Sequence, residues 1–222
     1  MRSKLIPLMA ALMIAVSIGL GAFVMAGRQG WNVAGMMGGF NPGGVRGSGG
    51  SVSGTPISID AAVGIAQQTA AGYSGRALTV DEVMEFQNNF YASIKEKDSG
   101  IGAFEILINR YTGAVLPELG PNMMWNTVYG VMARGGMMGV VVQPNAAMTV
   151  SKERAASIAQ RWLDRDLTGV TARAPDSFHG YYTVDFEKGC KIVGMLSVNG
   201  RSGQVWLHTW HGAFIQSKDL GK

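Results

Sequence analysis

The chain has three histidines, His179, His208 and His211, and two of them sit in the run His208-Thr209-Trp210-His211. Imidazole nitrogen is a good ligand for Zn2+, copper and other first-row ions, so this pair is a candidate metal site. On a straight strand, side chains three positions apart point to opposite faces, and joint ligation requires the chain to turn there. Three methionine doublets, Met36-Met37, Met123-Met124 and Met137-Met138, offer thioethers, which are soft donors suited to Cu(I). Methionine also fills irregular gaps and adaptable contact surfaces, a reading that needs no metal. The metal candidates are therefore His208, His211, Met123 and Met124, with copper as the ion.

Catalytic chemistry has less to work with. Cys190 is the single cysteine, which excludes an internal disulfide, a Cys-x-x-Cys motif and a haem attachment site. Next to a turn glycine, its thiol reads as an inert strand residue or as a partner for intermolecular pairing. The acidic pairs Glu82/Glu85 and Asp164/Asp166 fall in surface-like contexts without the apolar pocket that marks a general acid. No serine stands in a Gly-x-Ser-x-Gly elbow, no glycine loop carries the Lys-Ser/Thr that cradles phosphate, and there is no His-Glu-x-x-His. The sequence thus points away from an enzyme and calls for no cofactor.

Composition narrows the partners. The formal net charge is +4, only 15% of residues are charged, and Lys and Arg are scattered rather than gathered in a stripe that could track phosphates. Nucleic acid is not an expected partner. Residues 5–27 carry no charged side chain and exceed the roughly 20 residues that a helix needs to cross hydrocarbon. Arg2 and Lys4 precede them, so the positive-inside tendency places everything after Arg28 outside the cytoplasm. Residues 1–28 are read as a single-pass cell-membrane anchor in contact with lipid. The rival reading, a cleaved secretory signal with Val24-Met25-Ala26 at the cut, exports the same domain. Residues 29–56 are rich in glycine and form a flexible linker, with Trp31 at the membrane interface.

Beyond the linker the chain repeats itself. Ser58-Ile-Asp-Ala-Ala-Val-Gly-Ile-Ala-Gln67 lines up with Ser151-Lys-Glu-Arg-Ala-Ala-Ser-Ile-Ala-Gln160, each opening on a serine placed to cap a helix and an acidic residue in the first turn. Ala62, Ile65, Ala66 and Thr69, and then Ala155, Ile158, Ala159 and Trp162, recur at helical spacing as one buried face. Alternating apolar residues follow in each unit: Leu78 to Phe86, Phe90 to Ile94 and Phe104 to Ile108, with Ala114-Val115 starting a fourth strand; then Tyr181 to Phe186, Ile192 to Val198 and Val205 to Thr209. Both units share the loop Asn-x-x-(Thr or Ser)-Gly-x-Val, at 109–115 and 199–205, where glycine supplies a positive φ.

The order of Ala-rich helix, Tyr-x-Val-type strand and strand ending in Asn-x-x-Thr-Gly-x-Val resembles the PepSY domain, over about 57–118 and 148–216. The resemblance implies an α+β fold with one helix packed on an antiparallel meander in each lobe. It also implies roles in binding or protease inhibition, in exported and membrane proteins, and no catalysis. Residues 57–120 are taken as repeat 1, 121–147 as a Met/Gly-rich inter-repeat segment and 148–222 as repeat 2. Trp125, Tyr129, Met137, Met138, Trp206 and Trp210 are the expected interface residues, for packing between lobes or for a partner. The leading expectation is a non-catalytic, membrane-anchored extracytoplasmic module that serves as accessory or regulatory subunit of a membrane or secreted complex. The alternatives are copper binding outside the cytoplasm and inhibition of a separate exported protease.

Overall fold

Two serines start the two long helices. Ser58 Oγ accepts from Ala61 N at 3.2 Å to open α1 (Ile59–Ala71), and Ser151 Oγ accepts from Arg154 N at 3.3 Å to open α3 (Lys152–Asp166). Each cap satisfies an amide that the first turn leaves free. Ala62, Ala66 and Ala70 of α1, and Ala155, Ala159 and Leu163 of α3, are buried. Small side chains at that spacing let the helices lie close on the strands beneath.

The computed structural model describes residues 54–73, 75–130 and 147–221, and 54–222 fall in one compact unit. The anchor at 5–27, most of the linker, and Met36, Met37, Met137 and Met138 lie outside the described residues. Among the described residues no helix is long and apolar enough to cross a membrane.

The protein is α+β and rich in sheet. After α1 come β1 (Leu78–Phe86), β2 (Phe90–Glu96), β3 (Gly102–Ile108) and the short β4 (Val115–Pro117), then a single turn α2 (Pro121–Met124). After α3 come β5 (Thr171–Ala172), β6 (Asp176–Phe178), β7 (Tyr181–Lys188), β8 (Lys191–Asn199), β9 (Val205–Leu207) and β10 (Phe214–Asp219). The Asn loops fold alike. Asn109 Oδ1 accepts from the amides of Tyr111 and Thr112, and Asn199 Oδ1 from those of Arg201 and Ser202. Gly113 and Gly203 then turn the chain at φ 69° and 72°.

The two meanders do not close separately. They join in one ten-stranded sheet of order β10-β1-β2-β3-β6-β7-β8-β9, with β4 on β3 and β5 on β7. Two strands that the alternation did not reveal make the join. β6 pairs parallel with β3 at Gly102 and Phe178 and antiparallel with β7, while β10 crosses from the second unit to pair with β1. Gly102 is needed at the seam, since a Cβ there would lie 2.4 Å from the Phe178 ring.

Side-chain alternation divides the strands into two faces. Val80, Val83, Phe90, Ala92, Ile94, Phe104, Ile106 and Ile108 pack under α1, and Tyr182, Val184, Phe186, Leu196 and Val198 under α3. The opposite faces meet each other, where Met84, Phe86, Tyr91 and Leu107 of the first unit pack with Ile192 and Met195 of the second. This inner layer also holds a set of buried polar groups.

Candidate functional site

Residues at one constant offset along the chain meet in that inner layer. Tyr181 stands as far along the chain from Tyr91 as Asn199 does from Asn109, and His208 stands in the same relation to Glu118. Tyr91 and Tyr181 therefore approach from matching strands, and both reach Glu105 on β3. Tyr91 OH donates to Glu105 Oε1 at 2.6 Å and Tyr181 OH to Oε2 at 2.7 Å, while Thr183 Oγ1 donates to Oε1 at 2.7 Å. The backbone is held too. Asn122 of α2 accepts from Glu105 N at 3.1 Å and donates to Glu105 O at 3.0 Å. Burial, and then the neighbouring Glu118 charge, push the Glu105 carboxyl well above the usual carboxylate range. The same burial raises both tyrosines.

Glu118 follows β4 and is fully buried. Trp210 Nε1 donates to its Oε1 at 3.3 Å. The two histidines converge on that oxygen, with His208 Nδ1 at 3.3 Å and His211 Nε2 at 3.0 Å. Burial alone would raise this carboxyl, but the facing His208 and His211 rings overturn the effect and hold it below the usual carboxylate range. His211 is pushed down by burial and partly restored by Glu118. Around the cluster, His208 Nε2 bonds Ser197 Oγ at 2.9 Å and His211 Nδ1 bonds Asn89 Oδ1 at 2.9 Å. Trp210 stacks on His208 at 4.7 Å, and Phe86 on His211 at 4.5 Å.

The straight-strand objection to the histidine pair fails for a structural reason. β9 ends at Leu207, so His208 and His211 lie on an irregular crossing toward β10 and turn to one side. Glu118 completes the group, and ligand atoms of the three residues lie within 4.8 Å of one another. The methionines expected beside the histidines sit elsewhere on α2, where Met124 is exposed and Met123 half-buried. His179 joins a separate hub, in which Glu96 bonds Arg76, Ser99, Tyr129 and His179 at 2.6, 2.6, 2.7 and 3.1 Å. Those bonds overcome the effect of burial and hold Glu96 down at about 2.

The expected interface residues separate into two kinds. Tyr129 and Trp210 are half-buried and bonded inward, to Glu96 and Glu118 respectively. Trp125 and Trp206 meet edge-on at 5.7 Å, a contact between the segment after β4 and the strand β9. Trp206 keeps 37% of its surface exposed, Leu116 47% and Met124 50%. Leu116 pairs with Leu107 and Trp206 with Ser197, which places both on the inner face of a short outer strand, β4 and β9. Glu85, read as a surface acid, is buried against Arg110 at 2.5 Å. Cys190 is free and exposed, in a turn with φ 63°.

No family model and no curated protein matches the chain. Among solved structures it is similar to the C-terminal domain of YpeB from Bacillus megaterium, with 11% identity and a TM-score of 0.25. That match covers 68% of this chain and 62% of the other, so the chain spans less than two thirds of the length of the structure it matches.

Proposed function

We propose that the chain is a non-catalytic interaction module, anchored in the cell membrane through residues 5–27 and held outside the cytoplasm as accessory or regulatory subunit of a membrane or secreted complex. The observation that carries this reading is a set of exposed apolar side chains on β4, α2 and β9. Leu116, Met124 and Trp206 are exposed, and Trp125 rests edge-on against Trp206. Trp and Met are the residues that protein interfaces favour, and the two flanking strands are short edges with backbone groups free to pair. The charge-free stretch, the glycine-rich linker and the PepSY-like pattern of 57–120 and 148–222 support the placement.

A photo-crosslinking amino acid at position 206, introduced in the full chain and irradiated in intact cells, tests the reading. The expected result is a discrete adduct with a second polypeptide, with none from the same probe at exposed Asp164 on α3. Adducts with lipid alone, or none at position 206, would overturn it.

A further inference from the structure

We propose that Glu118, His208 and His211 bind a single divalent first-row transition-metal ion, Zn2+ in the first instance, between the two units. The proposal does not depend on the interaction surface, although Leu116 and Trp206 stand two residues from Glu118 and His208.

The case starts from polar atoms without partners. The side chains of Glu118 and His208 are 0% exposed and that of His211 is 3%. Yet Glu118 Oε2, His208 Nδ1 and His211 Nε2 make no hydrogen bond, because the close approaches to Glu118 Oε1 lack the alignment of one. Leaving one such buried group unpaired costs on the order of 1–3 kcal/mol, and here two ring nitrogens face the one oxygen, Glu118 Oε1.

The surrounding bonds show what that spot requires. Asn89 Nδ2 donates to Trp210 O at 3.3 Å, which turns Asn89 Oδ1 toward His211 Nδ1. An amide oxygen only accepts, so this network assigns a proton to Nδ1, and in the neutral ring Nε2 then carries the lone pair. That lone pair then faces a carboxylate oxygen 3.0 Å away, an arrangement of two acceptors that a cation between them would stabilise. A carbonyl-type oxygen behind the ring is the usual support of a metal-bound histidine, and the Ser197 hydroxyl bonds the far nitrogen of His208 at 2.9 Å.

The two distances to Glu118 and the donor types fit, with all three ligand atoms within 4.8 Å of one another. Tetrahedral zinc with bonds of about 2.0–2.1 Å sets neighbouring ligand atoms about 3.3 Å apart. The separations from Glu118 Oε1 to the two nitrogens are 3.0 and 3.3 Å. Glu118 and the two imidazoles supply three donor atoms, one from each residue. Two imidazoles with one carboxylate suit Zn2+, Fe2+ or Co2+ better than Ca2+ or Mg2+, which prefer oxygen, or Cu(I), which prefers sulfur. His208 and His211 also border a cleft of about 460 Å³ with Phe186, Leu207 and Gly212. The rival occupant of the spot is a proton.

The test uses the full chain in detergent, stripped with a chelator and titrated with Co2+. The expected result is one equivalent bound with the visible ligand-field absorption of a low-coordinate ion, which Zn2+ then displaces. His211→Gln and Glu118→Gln, shown to be folded by circular dichroism, abolish that absorption. Asn89→Ala weakens binding by roughly 10–100-fold, as loss of a supporting residue does. X-ray absorption of the zinc-loaded chain adds a check independent of any variant, and should show imidazole nitrogen and oxygen without sulfur. No absorption and no binding in the folded wild-type chain would leave the proton as occupant and overturn the proposal. Sulfur ligation, or binding unchanged in both folded variants, would also overturn it.

Discussion

Removing one hydroxyl from each side of Glu105 should cost different amounts. Tyr181 OH is the hydroxyl donor to Oε2, whereas Oε1 receives both Tyr91 OH and Thr183 Oγ1. Tyr181→Phe strips Oε2 of that donor inside a fully buried site, a loss of about 2 kcal/mol on the scale for an unsatisfied buried group. Tyr91→Phe leaves Oε1 with Thr183, and the cost falls to the net value of an ordinary hydrogen bond, about 0.5–1 kcal/mol. Both rings stay, so packing is nearly unchanged. For a folded unit of this size about 1 kcal/mol corresponds to roughly 2–4 °C. Tyr181→Phe should therefore lower Tm by about 4–8 °C, and Tyr91→Phe by about 1–4 °C. The assay is thermal unfolding of the full chain in detergent by near-ultraviolet circular dichroism, under one buffer. Equal shifts, or a larger one for Tyr91→Phe, would refute the reasoning that Thr183 backs up Oε1 when a tyrosine hydroxyl is lost.

Asp185 supplies a pH dependence. Its carboxyl is raised to about 7, first by burial and then by Glu82 and Asp176, with Arg173 opposing. Because the folded value lies above the unfolded one of about 4, the folded state holds its proton longer, and stability falls as pH rises from about 4 through about 7. The side chain keeps 13% exposure, so the loss from pH 5 to pH 8 is set at roughly 2 kcal/mol rather than the full shift. Asp185→Asn should flatten that slope in urea melts at the two pH values. At the seam, Gly102→Ala forces its new methyl against the Phe178 ring, and should destabilise by about 1–3 kcal/mol in the same melts, with no effect if the ring simply turns aside.

Local chemistry carried much of the fold in plain view. The serine caps at 58 and 151 and the asparagine loops at 109 and 199 each bond within a few residues, so the side chains that form them are adjacent in the sequence. What could not be seen is what the two halves do to each other. β10 has no apolar alternation to announce it, since most of its residues are exposed and its partner β1 lies far back in the chain. β6 is three residues long and pairs across the seam. Glu105 and Glu118 were missed because a lone acid in or after a strand reads as solvent-facing. Two signals could have found them. Leu107 shares the face of Glu105, which marks that face as covered. And repeat alignment sets Glu118 opposite His208, a candidate ligand already in hand. The turn that unites His208 with His211 depends on β9 stopping at Leu207, a boundary that no residue type there announces.

The claim beneath the rest is that both repeats make a single body around the buried polar seam. Hydrogen exchange of the full chain under rising denaturant measures it directly, at the amides of Tyr91 and Leu107 in the first unit and Thr183 and Ser197 in the second. As denaturant rises the four should merge into one common opening free energy. Two separate openings, one for each repeat, would contradict it.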